Sequence, residues 1–141
     1  MPVPQTLTAS RNATWAPTLV YPYQGPALPL DGAHIAMQIR LYGGALGDAL
    51  LTLPAIAFTD TLASGTAGQS DELRWLSLSP RVEPGDPANA AAATWAAMPA
   101  SGEAGDSRSD DFDIRITYAD GASELLVSPG VFILAPGVTT V

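Results

Sequence analysis

Few residues in this sequence can do chemistry, and their types and spacing decide what chemistry that would be. The one histidine is His34, and there is no cysteine. Thiolate nucleophiles, disulfides and Cys/His metal sites are therefore out of reach. A serine hydrolase would pair His34 with a nucleophile and an acid, but no nucleophile-elbow motif presents a serine. Asp106, Asp110, Asp111 and Asp113 form an acidic cluster. Several carboxylates on one loop suit a hard cation such as calcium. The spacing departs from the EF-hand loop pattern, and a solvated loop is the expected reading. The 14 Asp and Glu residues leave room for a glycosidase-type pair, but aromatic residues, which line sugar clefts, are only 7% of the chain. Neither a P-loop nor a dinucleotide fingerprint occurs, and Gly43-Gly44 lacks the helix start that a phosphate cradle needs. Asn12-Ala13-Thr14 matches the N-glycosylation pattern, but no signal peptide is expected and the match is read as chance. No catalytic, cofactor-binding or metal-binding residue is assigned, and the expected class is not an enzyme.

Composition narrows the partners. The chain has 141 residues, 47% hydrophobic and 14% charged, with a formal net charge of −8. Charged residues average about 25% in globular domains, so much of this surface must be neutral. That suits a protein packed against neighbours, and equally a monomer with many small polar residues outside. All 6 basic residues are arginines, at 11, 40, 74, 81, 108 and 115, and they form no run. Neutralising phosphates takes a clustered positive patch, so no nucleic-acid partner is expected. No stretch approaches the roughly 18 apolar residues of a spanning helix. A soluble chain without a secretion signal is expected, with no membrane partner.

The elements that would position any site are short. Pro and Gly, 13 of each, break the chain too often for long helices. Between the breaks, apolar residues recur with a period of two, the pattern of an all-β sandwich or barrel. Residues 1–12, with prolines at 2 and 4, are expected as an extended N-terminal arm. Residues 13–141 are expected as a single antiparallel β-sandwich domain, Ig-like or jelly-roll-like, with one short Ala-rich helix. Ala13 to Tyr21 reads as a first strand. His34 to Leu41 is the clearest strand, with Ile35, Met37, Ile39 and Leu41 on the buried face and His34 on the other. Ala49 to Phe58 reads as a strand interrupted at Pro54, with Leu51 and Leu53 on one side. Thr59 to Asp71 reads as a polar loop, and Leu73 to Leu78 as a strand with Trp75. Pro87 to Met98 carries seven alanines and stops at Pro99, which predicts a helix packing through Trp95 and Met98. Pro99 to Asp111 reads as a loop. Phe112 to Tyr118 and Ala122 to Ser128 flank Asp120-Gly121, a hairpin signal. A two-residue turn there sets Tyr118 opposite Ser123, Ile116 opposite Leu125 and Ile114 opposite Val127. Val131 to Ala135 is the last strand.

The order of these features resembles a known group. Thr14-Trp15 comes first, followed by Asp31-Gly32-Ala33, Ile35-Ala36-Met37-Gln38-Ile39-Arg40 and Leu51-Thr52-Leu53. An Ala-rich helix ending in Met98-Pro99 follows, with Asp113-Ile114-Arg115-Ile116-Thr117, Asp120-Gly121 and Gly130-Val131-Phe132 after it. This looks like the small β-sandwich proteins encoded among tail, baseplate and fibre genes of tailed phages. It is similar to the N-terminal module of upper-baseplate proteins that anchor receptor-binding proteins. The resemblance spans most of Ala13 to Val138, through motifs common to half-buried antiparallel strands. It departs in a shorter turn at Leu30 to Ala33 and a longer Pro99 to Asp111 loop.

The resemblance implies a virion structural protein, made in the host bacterial cytoplasm and present in several copies among other virion proteins. It implies no active site and no cofactor. A capsid decoration or head–tail joining protein is the alternative within the virion. A carbohydrate-binding module for a host glycan is the alternative outside that class, with Trp15, Trp75, Trp95 and the Tyr21/Tyr23 pair as stacking platforms. Trp15 and Trp75 are expected in the core instead. The arm has two readings: a clasp adding a strand to a neighbour's edge, or a disordered terminus.

Overall fold

Where large apolar residues alternate with small or polar ones, the chain forms strands. The computed structural model describes residues 3–11, 13–42, 47–84, 94–95, 98 and 106–136. The strands are β1 (Val3–Ser10), β2 (Leu19–Gln24), β3 (His34–Arg40), β4 (Leu51–Leu53), β5 (Ala57–Ser64), β6 (Leu73–Ser79), β7 (Arg108–Thr117) and β8 (Ser123–Ala135). They form a five-stranded sheet in the order β1-β8-β7-β3-β4 and a three-stranded sheet in the order β2-β6-β5. Every pairing is antiparallel except β1 with β8. The inward faces of the two sheets meet in one core, so the fold is the expected all-β sandwich.

β3 shows the logic most plainly. Ile35, Met37 and Ile39 are fully buried, while His34 on the other face is exposed. Each such side chain contributes roughly 1.5–3 kcal/mol by leaving water. On either side β3 pairs with β7, Ile35 opposite Ile116 and Met37 opposite Ile114, and with β4, Met37 opposite Leu53 and Ile39 opposite Leu51. Leu41, expected on the same buried face, lies beyond the end of the strand and is exposed. Phe132 of β8 sits at the centre of an aromatic cluster, its ring 5.2 Å from Trp15, 5.4 Å from Trp95 and 6.1 Å from Phe112.

Several expectations are corrected. Residues 3–10 are not a free arm. They lie along β8 of the same chain, with Leu7 opposite Phe132 and Ala9 opposite Leu134. Gln5, Leu7 and Ala9 share the inward face, and Leu7 is buried, which is why the segment docks. The strand expected over Ala13 to Tyr21 is the second in the chain and starts only at Leu19, and Trp15 instead makes an isolated bridge with Val82. The expected loop after Thr59 begins later, because β5 runs on to Ser64 with Phe58 and Asp60 half-buried between exposed Ala57, Thr59 and Thr61. Three of the four acidic residues, Asp110, Asp111 and Asp113, are also strand, since β7 starts at Arg108, while Asp106 precedes it. Most of the predicted helix lies outside the described residues. Within it, Thr94 forms a bridge with Glu83 rather than a helical turn. Met98 N–H donates to the Trp95 carbonyl at 3.0 Å, and both side chains are buried as expected.

The hairpin is in the expected place with a different turn. Tyr118 N–H donates to the Ala122 carbonyl at 2.8 Å and Gly121 N–H to the Tyr118 carbonyl at 2.9 Å. Gly121 alone takes a positive φ, 89°. That is a three-residue loop closed by a left-handed glycine. The extra residue slips the register by one, so Ile116 faces Glu124 and Arg115 faces Leu125. A bulge between Ile114 and Arg115 then restores Ile114 opposite Val127. Glu124 and Leu126 consequently sit on the face expected for Leu125.

Candidate functional site

Two features of the sandwich surface stand out: a cleft between the sheets and a neutral sheet face. The cleft lies on the flank where β1 and β2 are the edges of their sheets. It encloses about 550 Å³ and is walled by Pro4 and Gln5 of β1, Tyr21 and Tyr23 of β2, and Glu124 and Leu126 of β8. Alternation on β2 turns Leu19, Tyr21 and Tyr23 inward. Leu19 is buried and closes the core, whereas the two tyrosines are only half-buried and border the opening.

Each tyrosine hydroxyl around this flank has an acceptor. Tyr21 donates to Gln5 Oε1 at 2.7 Å and so ties the two sheets together. Tyr23 donates to Asp60 at 2.6 Å and accepts from Leu28 N–H at 3.3 Å. Tyr118 donates to Glu124 at 2.7 Å. Burial pushes the Tyr21 phenol up to about 12, opposed by its bond to Gln5. Tyr23 and Tyr118 are also raised, by burial first and then by their carboxylate acceptors. All three therefore stay protonated and act as hydrogen-bond donors, not bases.

Behind Tyr23 lies a charged network that sequence reasoning missed. Arg74 donates to Asp60 at 3.1 Å and to Glu72 at 2.6 Å. Glu72 also accepts from Gly68 N–H at 3.0 Å. That amide bond, followed by Arg74, holds the Glu72 carboxyl below the usual carboxylate range. The network fastens the 65–72 turn to β5 and β6. One signal was available in sequence, because Glu72 directly precedes the strand that carries Arg74, and opposite charges two apart in extended chain can meet on one side. Asp60 could be added only once the β5–β6 pairing was known.

The singled-out acidic residues do not converge. Asp110 points inward and is buried against Arg108, which donates to it twice, at 2.6 and 2.9 Å. Asp111 and Asp113 lie on the opposite face of the same strand. Among the described residues, no three His, Cys, Asp or Glu side chains come together to hold a metal ion. Of the proposed stacking residues, Trp15 and Trp95 are buried in the core. Trp75, expected in the core, is instead 50% exposed. The core takes Leu76 and Leu78, which turns Trp75 to the outer face of the three-stranded sheet.

That outer face is the second feature. It carries Val20 and Pro22 from β2, Leu73, Trp75 and Ser77 from β6, and Thr59 and Thr61 from β5. Not one of these is ionisable. Val20 is 45% exposed and Leu73 42%. The outer face of the five-stranded sheet contrasts with it, carrying Arg40, Asp111, Asp113 and Arg115.

An antiparallel-rich, two-sheet β-sandwich is the class that this fold defines. Compared with known proteins, the chain matches no family model and no curated protein. Among the described residues, no helix is long and apolar enough to cross a membrane.

Proposed function

We propose that this chain is a non-catalytic structural module of a tailed-bacteriophage virion. It serves assembly or attachment in the tail, baseplate or fibre region, in several copies beside other virion proteins. The observation that supports this most is the uncharged outer face of the three-stranded sheet, with Trp75 half exposed at its centre. A flat neutral face built around a tryptophan is the kind of surface that a neighbouring protein covers. The resemblance in feature order to small tail and baseplate sandwiches names the kind of neighbour. Trp75→Glu introduced into the phage genome tests this. Trp75 is on the surface, so the chain should fold, and the expected result is particles that have lost it. Undiminished incorporation would overturn the proposal.

The cleft favours a second reading, binding of a neutral host glycan. Its walls are mostly apolar, with Gln5, Gln24, Glu124 and the tyrosine hydroxyls as the few polar side-chain groups. That is the usual make-up of a small-ligand site. A glycan array probed with the wild type and Tyr21→Ala tests it. Signal that disappears in the variant is the expected result, and no wild-type signal would overturn it.

A further inference from the structure

Every open sheet exposes edge strands, and natural sheets blunt them with proline, charge or brevity. Among the described residues the two sheets have four edges: β1, β4, β2 and β5. Three are blunted. β1 carries Pro4, β2 carries Pro22, and β4 has only three residues. β5 is different. It runs for eight residues, AFTDTLAS, with no proline. Its outward side chains at 57, 59 and 61 are Ala, Thr and Thr, all exposed. Its one charged residue, Asp60, is turned inward and tied to Arg74 and Tyr23. Among the described residues, the row of backbone donors and acceptors along its outer edge is thus unpaired and undefended.

We infer that β5 pairs with β5 of a second copy of this chain, antiparallel about a two-fold axis, joining two three-stranded sheets into one of six strands. Charge selects the occupant. With a net charge of −8, two copies repel wherever carboxylates face each other. The β5 edge and the sheet face beside it carry no exposed charge, so a copy can approach there without that penalty. A two-fold interface needs a self-complementary patch, and β5 meets that condition. An axis through Thr59 sets the two Thr59 side chains against each other, a favourable cross-strand pair. It also places Asp60 opposite Phe58, so the two Asp60 carboxylates do not meet. That register uses the regular part of β5, before the bulge between Leu62 and Ser64.

This deepens the reading of the chain as an assembly module by naming a second copy as one partner. Sedimentation of the full chain over a range of concentrations tests it. The expected result is a monomer–dimer equilibrium that Thr59→Lys shifts at least tenfold toward monomer, with an unchanged far-UV spectrum. Ser77→Lys, on the same face but on the central strand, should leave the dimer intact. A wild type that stays monomeric throughout overturns the inference. So does a dimer lost equally in Ser77→Lys, the mark of face-to-face stacking. Hydrogen exchange on the wild type reads the edge directly and does not depend on any variant folding. Protection of the β5 amides should rise with concentration while that of β2 stays constant, and no rise at β5 overturns the inference. Particles that contain a chain monomeric in solution would sink this inference and leave the virion reading standing.

Discussion

Replacing Gly130 by alanine should cost stability even though the backbone there needs no left-handed conformation. Gly130 sits in β8 directly opposite Phe112 of β7. A methyl group built on it would lie 2.5 Å from the Phe112 carbonyl oxygen and 2.7 Å from the edge of the Phe112 ring. Normal contact is about 3.4 Å or more, so something has to shift by most of an ångström. The oxygen is backbone in a paired strand, and the ring packs edge-on against Phe132 at 6.1 Å. Neither can yield without loosening the β7–β8 ladder or the aromatic cluster. Overpacking of this kind costs about 1–3 kcal/mol, occasionally more. Alanine recovers about 0.4–1 kcal/mol by restricting the unfolded chain. The net expectation is a loss of about 1–2 kcal/mol, or several degrees in Tm for a chain of this size. Urea unfolding followed by fluorescence, with the slope compared between variants, measures it. A Gly130→Ala variant as stable as the wild type would refute the close approach of β7 to β8.

Other consequences follow from the same packing. Trp75 is half exposed while Trp15 and Trp95 are buried, so acrylamide should quench one tryptophan component efficiently, and Trp75→Phe should remove that component with little change in Tm. The Tyr21 phenol is raised from the ordinary 10.0 to about 12 by burial. Its share of stability is present below pH 10 and is lost as pH rises toward 12; alkaline unfolding that is unaltered in Tyr21→Phe would contradict this. Glu72 has a lowered pKa through Gly68 N–H and Arg74. Its contribution is present above the unfolded carboxylate range, near pH 4–5, and is lost as pH falls below it. Glu72→Gln should therefore flatten the acid limb of the stability curve in a urea titration at several pH values.

The β class was legible because alternation marks a half-buried strand without reference to its partner. β3 is the clear case: Ile35, Met37 and Ile39 announced their face, and the structure buries all three. What depended on pairing was not legible. The segment with Pro4 read as an arm because nothing local says that Leu7 will meet Phe132 on the last strand. The Asp120-Gly121 turn was locatable. Its length was not, and one extra residue moved Glu124 and Leu126 to the other face. Trp75 was misplaced by a size preference, when Leu76 and Leu78 carried the stronger signal for the core. The cleft could not be read at all. Tyr21 and Gln5 come from two strands in different sheets, and only the assembled sandwich brings them to 2.7 Å.

The central claim is a place in the virion, and immunogold labelling of purified particles tests it most directly. The particles should come from the phage or prophage whose genome carries the gene, labelled with an antibody raised against the folded chain. The expected result is several gold particles per virion at the tail tip or baseplate. Label on the head shell would move the chain to a decoration role. Intact virions with no label, beside the free protein in the same lysate, would contradict the claim.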